Sequence, residues 1–486
     1  MLGWISALAT AVIMLTAPVA RAADDGQPAL AAIAKAMNAD RINAIQFTVS
    51  GEGYFVGQPA YPGGSYPRYI LKSMTSTINY ETGAVREDVV RANGENPPRG
   101  GSELPLTGDQ RVMFSAARGA SWNTVGQSDT PAPQLAAERL IQVWLSPHGA
   151  IKGALAMHGQ VTSRVIDGQK MSVITFGQPG KFKIEAFADG TNMIERVIGW
   201  TENAVLGETR FEARYLDYRD FGGVKFPSVI QMIQSGHPIL DANVDDVRAN
   251  VPAEISVPES VKMAQERVVD ANAADGVWYL TGGSHHSVLI EMKTYAILVE
   301  CPLYDGRAAA VLAEARKLLP KKPVRYLIVT HDHFDHAGGV RYAAAQGITV
   351  IAHDDVRDFF ARNFARPSPY YPDAFAKAGR PAKLDGVAEK RVFSDGTRTV
   401  EIHHVRGNPH SNSLIMVYLP KEKILVEADA FTPGGPNAPY PQAVHPATQN
   451  LYDNIERLGL KIDNILPIHG RMVPFDELKR AVGKAG

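Results

Sequence analysis

Residues 209–215 alternate polar and apolar side chains and place Phe211, Ala213 and Tyr215 on one face, the pattern of a strand half buried in a sheet. Similar strands are predicted at 181–188, 195–200 and 229–232, with Gly-Gly or Asp-Gly breaks between several of them. The glycine-free run holding Leu135, Ile141, Val143, Trp144 and Leu145 suits an amphipathic helix. Pro/Gly-rich stretches at 59–67 and 97–105 read as surface loops. From residue 23 to 264 the pattern predicts a mostly β accessory domain. Its residues leave its role open among binding substrate, capping an active site and mediating assembly.

Beyond residue 264 the pattern changes to alternating strands and helices. Paired strands are predicted at 288–291 and 295–300, an amphipathic helix at 307–319, and an apolar strand at 326–329. A helix near 340–345 and a strand at 348–352 follow. Further strands at 399–405, 414–419 and 423–426 precede a helix near 449–458. A last helix opens at Phe475, with Leu478 and Val482 at helical spacing. Residues 265–486 therefore predict a mixed α/β domain.

Composition sharpens this picture in three places. Residues 2–19 are apolar apart from Ser and Thr and lead to Ala20-Arg21-Ala22, a small-x-small site before Ala23-Asp24-Asp25. That is the layout of a signal peptide over 1–22, which makes the mature protein periplasmic or secreted with no membrane span after cleavage; a retained anchor is the alternative. The charge of -1, from 50 basic and 51 acidic residues, supplies no basic excess for nucleic acid or an anionic membrane. A small-molecule substrate is the expected partner, and the oligomeric state stays open. The single cysteine, Cys301, excludes an intramolecular disulfide and reads as a small buried hydrophobe.

Histidine is distributed unevenly. His148, His158 and His237 precede residue 285, and the other eleven of the 14 histidines follow. The densest cluster is His331-x-His333-x-Asp335-His336, directly after the strand at 326–329 and before Gly338-Gly339. Two histidines one residue apart in an extended segment point the same way, and imidazole with carboxylate is a ligand set that suits zinc. Burying these groups without an ion would cost several kcal/mol in unmet polar atoms.

This motif, with Gly407-Asn-Pro-His410, Ile424-Leu-Val-Glu-Ala-Asp429 and Ile465-Leu-Pro-Ile-His469 following in order, resembles the metallo-β-lactamase superfamily. The resemblance covers the chain from about Gly276 to its end and implies a C-terminal αβ/βα sandwich. It implies that His331, His333 and His410 hold one metal, that Asp335, His336 and His469 hold a second, and that Asp429 bridges them. Two zinc ions are expected, with iron or manganese as alternatives. The implied reaction is attack by a metal-bridging hydroxide on an ester, lactone, thioester or amide-type bond, with Asp335 as the catalytic carboxylate that orients the nucleophile and shuttles its proton.

Two departures from the family pattern matter. Val299-Glu300-Cys301 stands where many members carry Asp, and Glu300 is a candidate support for the metal loop from outside the ligand set. Asp429 is the residue usual in glyoxalase, lactonase and phosphodiesterase branches, which lowers the β-lactamase alternative. A phosphodiesterase or sulfatase would need extra cations, for which Arg406 and Arg471 are candidates. A non-catalytic, metal-containing binding module is the remaining alternative. His285 and His286, after Gly282-Gly283-Ser284, are expected on the loop surface, with a place near the metal pocket as the alternative, and only one of His403 and His404 can face inward. His353 and His445 read as surface or supporting residues. Loops at 366–381, with Tyr370 and Tyr371, and 433–441, with Tyr440, either line the pocket with aromatics or are solvent-exposed connections.

Overall fold

A computed structural model describes residues 26–101, 108–436 and 443–484. The leader expected at 1–22, part of the 97–105 loop and Tyr440 lie outside them. Among the described residues no helix is long and apolar enough to cross a membrane.

The N-terminal strands form one 13-stranded sheet, antiparallel throughout, in which the first strand, Ala44–Tyr54, lies between the second, Arg68–Asn79, and the last, His237–Ala249. The pleat of Ala44–Tyr54 sends Ile45, Phe47 and Val49 into the core. Gln46 and Thr48 face the other way and meet Thr77 and Thr75 at 3.0 and 3.1 Å. The strands expected in this half lie within Phe182–Ala188, Ile194–Asn203, Gly207–Phe221 and Val224–Gln234.

Three helices, Gln27–Ala36, Ala136–Leu145 and Pro147–Ala156, cover the apolar face of the sheet. Ser146 separates the last two: Pro147 cannot donate into the preceding helix but suits the first turn of the next, and the Ser146 hydroxyl accepts from Gly149 N. His148 is a core residue, its ring bonded to Met37 O at 3.1 Å and its pKa pushed down to about 4 by burial.

The C-terminal half is a sandwich of two sheets with helices outside each. A seven-stranded sheet runs from Val269–Ala274 to Lys383–Val387, and a six-stranded sheet from Lys390–Ser394 to Val473–Pro474. Inner strands such as Ala296–Val299 and Ile415–Leu419 are apolar on both faces because both faces are covered. In Ala296–Val299, Ile297 and Val299 pack between the sheets, whereas Ala296 and Leu298 pack beneath the outer helices Asp305–Leu318 and Val340–Ala345. Likewise Ile415, Val417 and Leu419 face the first sheet, and Met416 and Tyr418 face helices Pro446–Leu458 and Phe475–Ala481. The expected αβ/βα architecture after a mostly β domain is the observed one.

The stretch 366–381, which the sequence reads as either an aromatic pocket wall or a solvent-exposed connection, packs against the N-terminal domain. It contains a helix, Ala374–Ala378, and its loop straps onto the N-terminal sheet, where the Tyr370 and Tyr371 amides both donate to Glu208 Oε2 at 2.7 Å. Lys183 lies over the Tyr370 ring at 4.4 Å. A buried Arg341–Asp373 ion pair reinforces the same seam beside Gly207, where a Cβ would come within 2.9 Å of the guanidinium.

Candidate metal centre

The strand Val324–Ile328 ends against Glu300, whose fully buried carboxylate accepts from Thr330 N at 2.7 Å. The chain then turns, and His331, His333, Asp335 and His336 leave it in different directions around a four-residue helix, Phe334–Ala337. Loops after other strands of the sandwich bring His410, Asp429 and His469 to the same place. Asp429 has φ +61, and its two oxygens face different histidines. Oδ2 lies 2.9 Å from His410 Nε2 and 3.5 Å from His331 Nε2. Oδ1 lies 2.8 Å from His469 Nε2 and 3.0 Å from His336 Nε2.

Two clusters with the spacing of metal ligands result among the described residues: His331, His333, His410 and Asp429; and His285, Asp335, His336 and His469. His285 corrects the expectation of a surface loop. It is 8% exposed, pairs with His469 through an isolated bridge, and places Nε2 3.2 Å from Asp335 Oδ2. Its neighbour His286 bonds Gly470 O at 2.9 Å, outside the clusters.

The donor atoms fit ions better than they fit one another. Ring nitrogens of His331 and His410 face each other at 3.2 Å, those of His336 and His469 at 3.1 Å, and buried His333 Nδ1 has no hydrogen-bond partner. Burial pushes His331 down to about 4, with the neighbouring His336 adding to it. Burial also opposes protonation of His336 and His469, but the Asp429 carboxylate, joined by Asp335, overcomes it and raises both. Positive charge is drawn to the space around Asp429, which is where cations would sit. Asp332, inside the motif, joins neither cluster: both its oxygens are buried without partners, and burial raises its pKa to about 7.

The N-terminal domain closes this site. Phe334 N donates to Gly57 O at 3.1 Å, Asn412 N to Ala60 O at 3.0 Å, and Gly100 N to Pro409 O at 3.0 Å. His333 Nε2 lies 2.8 Å from Pro59 O, leaving Nδ1 for the cluster, and Gln58 Nε2 donates to Asp335 Oδ1 at 2.9 Å. A carbonyl or amide in this position fixes the ring or carboxylate of a ligand. Gly101 packs over both contacts; a Cβ there would fall 1.8 Å from Gln58 Oε1 and 3.1 Å from His333 Cε1. Gln58→Ala is therefore expected to lower turnover by about tenfold with the metal content retained, and Gly101→Ala to reproduce it by displacing the same amide. Wild-type turnover in both variants would remove Gln58 from the site.

The other expected residues lie elsewhere. Arg406, expected beside the ligands, is corrected to a surface position, paired with Glu389 at 2.8 Å and 55% exposed. Arg471 lines a cavity with Asp429 but its guanidinium is held by both oxygens of Glu477 and by Gly434 O. His353 and His445 accept from backbone amides at the starts of helices Asp354–Phe364 and Pro446–Leu458. His403 pairs with Glu401 at 2.8 Å and His404 with Asn412 O at 2.8 Å.

Comparison with known proteins places these residues in context. Residues 280–469 match the family model described as the metallo-beta-lactamase superfamily. A 2,4-dinitroanisole O-demethylase subunit alpha from Nocardioides sp. (strain JS1661) is 25% identical over 158 residues, 32% of this chain and 44% of that protein. A UPF0173 metal-dependent hydrolase from Aeropyrum pernix is 32% identical over 122 residues, 20% of this chain and 50% of that one. The chain thus spans half or less of the curated relatives it matches. Among solved structures, a metallo-beta-lactamase from Pontibacter korlensis aligns with 45% of this chain and 99% of its own at 18% identity and a TM-score of 0.36.

Proposed function

From the premise that the C-terminal part of the chain is a metallo-β-lactamase-superfamily domain, we propose that the protein is an exported hydrolase that uses two divalent metal ions, zinc first, to cleave an ester, lactone, thioester or amide-type bond. The observation that carries the reading is Asp429, one of whose oxygens faces two histidines of one cluster while the other faces two histidines of the second. Four ligands close a structural zinc site, whereas two clusters sharing a carboxylate suit a pair of ions. Export rests on the leader at residues 1–22.

His331, His333 and His410 would hold one ion, and Asp335, His336 and His469, with His285 beside them, the other. Bound there, the ions supply Lewis acidity, which acidifies water and polarises a carbonyl oxygen. The chain's own contribution is to hold donors and move a proton. Asp335 is the one carboxylate of the motif with part of its side chain open, 23% exposed. Anchored by Gln58 through Oδ1 and facing His285 through Oδ2, it is placed to take a proton from the attacking water and hand it to the leaving group. The Asp429 side of the site is flanked by Phe431, Thr432 and His445, which would contact the substrate. Arg471 is held by Glu477 and Arg406 pairs with Glu389 at the surface, so neither of the two cations expected for a phosphate or sulfate ester supports that reading.

The test is elemental analysis of purified protein with a hydrolysis panel of esters, lactones, thioesters, β-lactams and phosphodiesters. 2,4-Dinitroanisole joins it because a relative's name specifies that substrate. About two ions per chain and turnover of a carbonyl substrate are expected. Folded protein that takes up less than one ion and stays inert with added zinc overturns the proposal.

A further inference from the structure

The N-terminal domain contains a cavity that the metal chemistry does not use. It lies between the 13-stranded sheet and helix Ala136–Leu145, is open to solvent on one side, has a volume of about 230 Å³, and has walls that include Phe47, Met74, Phe226, Ile230 and Met232. Native cores leave few voids larger than a water molecule. An apolar cavity of about 150 Å³ accepts benzene, so this one has room for an apolar body of roughly eight to ten carbons. Two methionines in the wall add adaptability, since the thioether chain repacks around ligands of different shape.

One end of the cavity is polar, with Glu87, Glu138, Arg139 and Gln234 in its wall. Glu138 Oε1 accepts from Asn203 Nδ2 at 2.5 Å and from Gln234 Nε2 at 3.3 Å. That leaves Gln234 Oε1 in the cavity wall, on a residue that is 0% exposed, without any hydrogen-bond partner. Arg139, also at this end, gives its donors to Ser121 Oγ, Trp122 O and Asn123 Oδ1. A buried acceptor with no donor costs about as much as a lost hydrogen bond. Its natural complement is a ligand that brings a donor, and two carboxyls, Glu87 and Glu138, set against the one guanidinium of Arg139 disfavour an anionic head.

We infer that this cavity binds a small amphiphile with an aliphatic or aromatic body and a neutral donor head, an alcohol or a primary amide, donating to Gln234 Oε1. The site is separate from the metal centre, and the inference holds whether or not the hydrolase reading does.

The experiment titrates the full chain with 1-naphthylamine, a ten-carbon fluorophore with a neutral donor head, followed by fluorescence, and competes it with 1-octanol and with octanoate at pH 8. Saturable one-to-one binding is expected, with 1-octanol displacing at least tenfold more effectively than octanoate. Ile230→Trp, which fills the cavity, is expected to weaken the fluorophore at least tenfold while metal content and melting temperature stay put; Met232→Trp replaces it if that variant does not fold. Gln234→Leu keeps the volume, loses the acceptor, and is expected to weaken 1-octanol several-fold. No saturable binding, or full binding in the folded Trp variant, overturns the site. Equal competition by octanoate, or an unchanged 1-octanol affinity in Gln234→Leu, overturns the assigned head group.

Discussion

Asp429→Ala is expected to cost at least about 100-fold in kcat/KM and to leave the protein with fewer bound ions than wild type, read by steady-state kinetics and elemental analysis on the same sample. Even a partner one shell removed from a metal is worth about 10–100-fold, and Asp429 is nearer than that: four imidazole nitrogens lie 2.8 to 3.5 Å from its oxygens. Removing the carboxylate leaves His336 and His469 without the charge that raises their pKa values in the metal-free protein. It also removes the group that both ions would share. Asp429→Asn keeps the size and one acceptor oxygen, so its metal content should fall between wild type and Ala. Full metal content and wild-type kinetics in Asp429→Ala would end the binuclear reading.

The part of this site that was legible in the sequence shares one physical property. His331, Asp429 and His469 follow strands of the sandwich whose ends announce themselves as apolar runs because both faces are buried there. An apolar run that ends at a histidine or a carboxylate is a local signal. Glu300 was visible on the same terms, as a charge at the end of an apolar strand.

What was not legible is non-local. Gln58 and Asp335 are 277 positions apart, and the loop at 59–67, read as a surface connection, carries no pattern that tells a solvated turn from one lying over another domain. Only the pairing of Gly57, Pro59 and Ala60 carbonyls with groups at 333, 334 and 412 distinguishes them. His285 failed for a related reason. Gly282-Gly283-Ser284 reads as an exposed turn, and the bridge to His469 that draws it inward is set by the far end of the chain. The Tyr370-Tyr371 segment left a pocket wall and a solvent-exposed connection equally open, because nothing local announces Glu208, on the N-terminal sheet, which captures their amides.

Glu300 allows a sharper test than its position alone suggests, because its two oxygens do different jobs. Oε1 satisfies Thr330 N, a buried donor at the start of the metal loop, and Oε2 lies 3.5 Å from His336 Nδ1, on the side of the ring opposite the cluster. The first is a folding role and the second a tuning role. In Glu300→Ala both are lost: the orphaned amide costs about 1–3 kcal/mol, and metal affinity falls by about 10–100-fold. The backbone at φ +64 adds strain whichever side chain is present, so it cancels between wild type and variant. Glu300→Gln separates the roles. Its carbonyl oxygen still accepts from Thr330 N, so the melting temperature of the metal-free protein should stay near wild type. Its NH2, turned toward His336, donates where a proton acceptor stood and favours the tautomer with hydrogen on Nε2, the nitrogen that faces Asp429 and His469. Metal affinity should then drop about as far as in Glu300→Ala, without the loss of stability. Chelator competition gives the affinities and thermal unfolding of the metal-free protein gives the stabilities. Equal destabilisation by Gln and Ala would show that Thr330 depends on the charge rather than on an acceptor, and an unchanged affinity in Gln would remove Glu300 from the control of His336.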